Sequence, residues 1–266
     1  MPVPATHSPE LDAPAAPLLE VFSSIQGEGA LIGRRQVFIR FAGCNLKCGY
    51  CDTPYTPAAH CRVEKLPGSG AFTSWCNPVQ LADVTAYVQS LLDPGSLCHR
   101  SHHSFALTGG EPLLHAALLK EWLPRLRTLL PVQVETNGTL PEALRQVLPW
   151  LDWISVDIKL ESQTGEPTPW DLHREFIELA LQVQCCVKLV VGNSTPGEEL
   201  HRTAKLLQSL TTSTPPKHFD VVLQPRTING QCSVSGRSLL QQQDILAGYG
   251  LDVRVIPQTH CFMQLL

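Results

Sequence analysis

Cys44, Cys48 and Cys51 stand in the run Gly43-Cys44-Asn45-Leu46-Lys47-Cys48-Gly49-Tyr50-Cys51, separated by three residues and then by two. Thiolates at this spacing can converge on one cubane iron–sulfur cluster. Such a cluster has one iron more than the cysteines can hold, and that open iron can bind a substrate or cofactor directly. The same spacing can hold structural zinc, but a zinc site normally takes a fourth ligand, which here would have to come from a scattered cysteine or histidine. A thioredoxin-like redox pair fits less well, because a third thiol is present.

The cysteines need a scaffold, and the surrounding pattern supplies one. Apolar runs of strand length fall at Leu18–Phe22, Gln36–Phe41, Ser104–Leu107, Val132–Glu135, Trp153–Ile158, Cys186–Val191, Asp220–Leu223 and Asp252–Ile256. Several are nearly continuous in Val, Ile and Leu, which predicts strands covered on both faces. Amphipathic stretches alternate with them at Val79–Leu92, Leu114–Leu129, Pro141–Leu148, Trp170–Gln184, Gly197–Leu210 and Arg237–Ala247. The alternation predicts an α/β fold with parallel strands. About six strand–helix units are visible, too few for a closed barrel, so an incomplete barrel and an open sheet both fit.

The 266 residues, 43% hydrophobic and 17% charged, provide ample core for one large domain over residues 18–266. Residues 1–17 are rich in Pro and Ala without Lys or Arg, and read as a disordered tail rather than a signal peptide. Residues 54–77, with Pro, Gly, Ser, Cys61 and Cys76, read as an insertion on the scaffold, and Leu160–Pro169 as a loop. A net charge of −4 and the lack of a long basic run argue against a nucleic-acid partner. No stretch is long enough to span a membrane. The chain is therefore expected to be soluble and cytoplasmic. In that setting its ten cysteines are expected to be mostly free rather than disulfide-bonded.

Polar groups close several of the hydrophobic strands. The cysteine loop follows Gln36–Phe41. Leu107-Thr108-Gly109-Gly110-Glu111-Pro112 ends the next strand, Val134-Glu135-Thr136-Asn137-Gly138 another, and Ile154-Ser155-Val156-Asp157-Ile158-Lys159 another. The C-terminal ends of parallel strands are the functional face of α/β folds. The paired glycines would let backbone approach a ligand closely, and Glu111 could accept from an ammonium.

The cysteine triplet, the aromatic Tyr50 before its last member and the Gly-Gly-Glu-Pro run resemble the radical S-adenosylmethionine superfamily. A narrower resemblance lies in Ser24-Ile25-Gln26-Gly27-Glu28-Gly29, Phe38-Ile39-Arg40-Phe41-Ala42-Gly43-Cys44, Cys51-Asp52-Thr53 and Gln258-Thr259-His260. These runs are similar to the 7-carboxy-7-deazaguanine synthase family of the queuosine pathway. The resemblance implies a modified, incomplete (β/α) barrel. It also implies ring contraction of 6-carboxy-5,6,7,8-tetrahydropterin to 7-carboxy-7-deazaguanine with loss of ammonia. Catalysis would come from a radical derived from the cofactor. A radical activase, which places a glycyl radical on a partner enzyme, would share the triplet but would not need a pterin-acid pocket.

The family's roles carry over onto matching positions. Cys44, Cys48 and Cys51 would hold a [4Fe–4S] cluster whose open iron takes S-adenosylmethionine. Gly109, Gly110 and Glu111 would meet the methionine end. Thr136, Asn137, Ser155, Val156, Asp157 and Lys159 would bind its carboxylate and ribose, and Gln224 and Pro225 would support the adenosine. Ile25, Gln26, Gly27, Glu28, Arg40, Thr108, His260 and the terminal Leu266 would receive the pterin, with Arg40 as the carboxylate fork. Thr53 would ligate Mg²⁺, a hard ion that prefers oxygen. A flavodoxin- or ferredoxin-type reductant and a homodimer are implied as well. The chain departs from the family at Cys261, where a basic residue is often found.

Overall fold

Side chains alternate across a β-strand, and in this chain the alternation separates apolar from reactive residues. The computed structural model describes residues 14–51, 53, 56–96, 100–211 and 218–265. Its main sheet is built from β1 (Leu18–Ile25), β2 (Arg35–Phe41), β3 (His60–Glu64), β4 (Phe72–Cys76), β5 (His102–Gly109), β6 (Val132–Thr136), β7 (Trp153–Ile158), β8 (Gln184–Val191), β9 (Asp220–Pro225) and β10 (Val253–Val255). The spatial order is β10-β9-β8-β7-β6-β5-β2-β1-β3-β4. From β10 to β2 every neighbouring pair is parallel, whereas β1 runs antiparallel to β2.

Helices α1 (Leu81–Leu92), α2 (Ala116–Arg127), α3 (Pro141–Val147), α4 (Trp170–Ala180), α5 (Gly197–Thr211) and α6 (Gly236–Ala247) accompany the strands. Their buried residues share one core with Ile39, Phe41, Leu107, Val134, Ile154, Val156, Val187, Leu189, Val221 and Leu223. In α2 the buried set Leu119, Trp122, Leu123 and Leu126 follows helical spacing, so one apolar stripe meets the sheet.

The opposite face of the sheet corrects the expectation of strands covered on both sides. It carries Arg40, Thr108, Glu135, Asp157, Lys188 and Gln224, which line a cavity of about 470 Å³. Register places Arg40 beside Thr108, Glu135 beside Ser155, and Asp157 beside Lys188. Beneath them lies a hydrogen-bonded polar floor. Gln26 donates to Gln36 (2.8 Å) and Glu135 (2.6 Å), and Gln36 donates to Ser104 and Gln133 (both 2.7 Å). Polar groups buried this deeply are tolerated because each finds a partner.

The sheet curls but does not close. Beyond β10, the Thr259 backbone N–H donates to Gly27 O at 3.0 Å and Gln258 donates to Glu28 at 2.7 Å. These contacts bring the end of the sheet order back to the segment after β1, while β10 pairs with β9 alone, so the barrel is incomplete.

Local differences from the sequence expectation have physical reasons. Residues 60–76 form the hairpin β3–β4 and extend the sheet. Cys61 is buried there, which removes it from any metal site with the exposed Cys76. Ala15–Ala16, within the stretch read as tail, pair with Val79–Gln80, so α1 starts after that bridge, at Leu81. Helix α4 ends at Ala180, because Gln184 already pairs with Trp153 in the sheet. No helix among the described residues is long and apolar enough to cross a membrane.

Candidate active site

The cysteine loop leaves β2 at its C-terminal end and is clasped by the next strand. Gly110 N–H donates to Phe41 O (3.1 Å) and Glu111 N–H to Gly43 O (2.8 Å). A Cβ on Gly109 would lie 2.2 Å from Phe41 O, and one on Gly110 would lie 1.9 Å from Gly43 O. Within the protein, the glycines are required by backbone packed on backbone. A side-chain network then holds the loop from the other side. Asn137 donates to Asn45 (2.8 Å) and points its amide at Cys44 Sγ (3.8 Å), while Asn45 donates to Thr139 (2.9 Å).

Cys44, Cys48 and Cys51 all line the cavity. Burial pushes the Cys44 and Cys48 thiols above their ordinary range, and Cys48 also feels the charges of Cys44 and Cys51. Among the described residues, no three Cys, His, Asp or Glu groups are arranged around a single metal ion. Three thiols lining one cavity suit a cubane, which spreads three thiolates over three irons. Partly desolvated thiols that must ionise also suit a site where iron supplies the compensating charge.

Thr136, Asn137, Asp157, Lys159, Gly109, Gly110 and Gln224 face the cavity as the resemblance implies. Gln224 Oε1 is buried there without a hydrogen-bond partner among the described residues. Lys159 donates to Asp157 (2.8 Å) and to the Tyr50 hydroxyl (3.2 Å).

Four residues assigned to the cofactor, Glu111, Ser155, Val156 and Pro225, are not part of the cavity lining. Glu111 is fully buried and accepts from Leu113 N–H (3.0 Å), Thr136 Oγ1 (2.9 Å) and Asn137 N–H (2.7 Å). Burial pushes its carboxyl up to about 7 against the pull of those bonds. It caps the Pro112–His115 turn and ties it to the end of β6, rather than facing an ammonium. Val156 lies in the helix-side core, as the strand alternation requires. Ser155 sits beneath Gly29, outside the cavity lining, and Pro225 is a buried strand residue outside it.

The assigned substrate residues Ile25, Gln26, Gly27, Glu28, Arg40, Thr108 and His260 do converge on the cavity. Arg40 Nε donates to Glu20 at 3.2 Å, and its guanidinium lies 5.7 Å from the Phe22 ring centroid. Among the described residues, its two terminal nitrogens have no hydrogen-bond or ion-pair partner. Gly27 admits His260: a Cβ there would meet the imidazole Nδ1 at 2.2 Å. Burial would raise Glu28, but the Lys188 ammonium and Gln258 pull its carboxyl down to about 2. Thr53 also lines the cavity, whereas Leu266 and Asp52 lie outside the described residues.

Sequence reasoning missed Lys188 and Arg226, and quoted Glu135 and Gln258 in its motifs without giving them a role; all four line the cavity. Glu135 accepts from Gln26 (2.6 Å) and Thr108 (2.9 Å); burial raises its carboxyl and Lys188 opposes that. Lys188 bonds Glu28 and stands 3.3 Å from Asp157. Its signal was present in Cys186-Val187-Lys188-Leu189-Val190: a lone cation in an apolar strand, as with Arg40.

Comparison with known proteins agrees with this geometry. The Radical SAM superfamily model matches residues 38–207. A 7-carboxy-7-deazaguanine synthase from Geobacter sulfurreducens is 44% identical over 257 residues, covering 95% of this chain and 99% of the relative. One from Methanothermobacter thermautotrophicus is 38% identical, covering 92% and 96%. The crystal structure of QueE from Escherichia coli superposes with a TM-score of 0.56 at 21% identity, covering 91% of this chain and 93% of that one, which supports the fold.

Proposed function

The chain belongs to the radical S-adenosylmethionine superfamily and, within it, to the 7-carboxy-7-deazaguanine synthases, and from that premise we propose which of its residues perform the ring contraction. The enzyme converts 6-carboxy-5,6,7,8-tetrahydropterin to 7-carboxy-7-deazaguanine with loss of ammonia, using a [4Fe–4S] cluster and S-adenosylmethionine. The observation that carries the assignment is one cavity lined both by the three cysteines and by Arg40, Glu28 and His260.

Cys44, Cys48 and Cys51 would hold the cluster, with Asn137 steadying Cys44. When bound, the cluster and S-adenosylmethionine supply the electron and the hydrogen-abstracting radical. Thr136, Asn137, Asp157, Lys159 and the unpartnered Gln224 Oε1 would orient the cofactor. The free end of the Arg40 fork would take the pterin carboxylate. Glu28, held ionised by Lys188, is an acceptor-only group suited to the N–H donors of the aminopyrimidinone edge. Gln26, Thr108 and His260 would frame the ring, while Glu135 stands nearby as a buried carboxylate that holds Gln26 and Thr108 in place. The residues lining the cavity would fix the reacting atoms.

The test is incubation of the reconstituted protein with carboxytetrahydropterin, S-adenosylmethionine and dithionite under anaerobic conditions. The deazaguanine acid is expected. Its absence while 5′-deoxyadenosine still accumulates would point to another substrate.

Arg40→Ala should keep the cluster and weaken pterin binding by roughly 2–5 kcal/mol, the cost of removing one partner of a charged hydrogen-bonded contact. Calorimetric titration without reductant checks this, and unchanged affinity would remove Arg40 from the pocket. Thr53, at the cavity wall, is assigned to Mg²⁺. Thr53→Ala should therefore lose the rate response to added Mg²⁺, and a variant that keeps the parent's response contradicts the assignment. A one-electron reductant of flavodoxin or ferredoxin type and a homodimer complete the reading; sedimentation as a monomer would exclude the latter.

A further inference from the structure

A chain of alternating charges crosses the cavity. Gln258 donates to Glu28 Oε1 at 2.7 Å, and Lys188 donates to Glu28 Oε2. Lys188 Nζ stands 3.3 Å from Asp157 Oδ1, and Asp157 Oδ2 accepts from Lys159 at 2.8 Å. Lys159 donates to the Tyr50 hydroxyl at 3.2 Å, immediately before Cys51. One end of the chain lies in the pterin half of the site and the other in the cluster half. Lys188, from the middle of β8, touches both.

Its two contacts differ in kind. Lys188 donates a hydrogen bond to Glu28, whereas Asp157 Oδ1, buried and 3.3 Å from the same ammonium, is ion-paired with it without receiving a hydrogen bond among the described residues. A buried carboxylate oxygen that is ion-paired but not hydrogen-bonded is under-satisfied, so completing that bond is favourable once something else satisfies Glu28. Donors on a bound pterin would do so. Asp157 would then gain a full partner on Oδ1, and the Lys159–Tyr50 pair on its other oxygen would be held in one arrangement beside the cluster cysteines.

We infer that Lys188 is a positioning residue that couples the two halves: pterin bound at Glu28 releases the Lys188 ammonium toward Asp157 and so prepares the cofactor half for S-adenosylmethionine. The inference rests on the assignment of Glu28 to the pterin edge. Coupling of this kind is reciprocal, so each ligand tightens the other by the same factor.

The measurement is calorimetric titration of the cluster-loaded full chain without reductant, with each ligand alone and then with the other saturating. The wild type is expected to show mutual tightening of about fivefold or more. Lys188→Met is expected to change each single affinity and bring the mutual factor to about one, while Lys188→Arg keeps part of it. A purely structural role would move the single affinities and leave the factor intact, and that result in Lys188→Met overturns the inference. If Lys188→Met does not load a cluster, the same titration on Asp157→Asn decides: a lost factor supports the coupling and an intact one overturns it. A wild type that binds both ligands independently also overturns it. A wild type that binds no carboxytetrahydropterin removes the substrate assignment, and the inference with it.

Discussion

Cys48→Ala is expected to yield a folded chain that holds no intact cluster and cleaves no S-adenosylmethionine. Three thiolates are the minimum that leaves a single iron of the cubane open, and Cys48 is the middle one, close enough to feel the charges of both others. The loop contributes little to the core: Cys48 is only partly buried and absent from the main apolar cluster. Compared with the cluster-free parent, its removal should therefore change stability by no more than about 0.5 kcal/mol, as at other sites away from core features. Of the other described cysteines, Cys61 and Cys185 are buried in the helix-side core, while Cys261 lines the cavity. Iron content, the visible charge-transfer absorption and 5′-deoxyadenosine release give the readout, with far-UV circular dichroism as the folding control. A Cys48→Ala protein that retains stoichiometric iron and cofactor cleavage would falsify the assignment.

Gly110→Ala should be nearly as damaging, through geometry alone. The added methyl would lie 1.9 Å from Gly43 O, 2.6 Å from Gly43 C and 3.2 Å from Cys44 Cβ. Two of these atoms are backbone, so no side-chain rotation relieves the clash. Either the end of β5 or the cysteine loop must move, and the hydrogen bonds Gly110 N–H to Phe41 O and Glu111 N–H to Gly43 O join those two segments. Overpacking of this kind costs roughly 1–3 kcal/mol or more. Cys44 would be displaced with the loop. Urea unfolding should show the lost stability and iron analysis the lost cluster. Gly165→Ala is the control: a Cβ there meets nothing within 4 Å, so only its left-handed backbone at φ +82 opposes the change. A Gly110→Ala variant with parental iron content and unfolding midpoint would show that the clasp does not position the cysteines.

The alternation of apolar runs and amphipathic stretches was legible because local periodicity encodes it, and most element boundaries agree within a few residues. The hairpin over residues 60–76 was not legible. Its turn-rich composition resembles a loop, and only pairing along the edge of the sheet makes it strand. Glu111 shows a different limit. Its place in a Gly-Gly-Glu-Pro run marks a functional segment, but which way the carboxylate turns depends on Thr136 and Asn137, more than 20 residues away.

The chemistry, then, lay in the sequence. The Cys44–Cys51 spacing pointed to a cluster with an open iron, and the family resemblance carried by the Gly109–Glu111 run, Arg40, Gln26-Gly27-Glu28 and Gln258-Thr259-His260 implied radical chemistry and a pterin-acid pocket, because covalent spacing and short motifs are local properties. Tertiary structure alone decided which groups reach one another. Strand register set Asp157 beside Lys188, and curling of the sheet brought Gln258 to Glu28 across 230 positions of chain. Placement inside an α/β barrel depends on pairing between distant strands, and a side-chain period of two says that a residue faces inward or outward without saying what it will face.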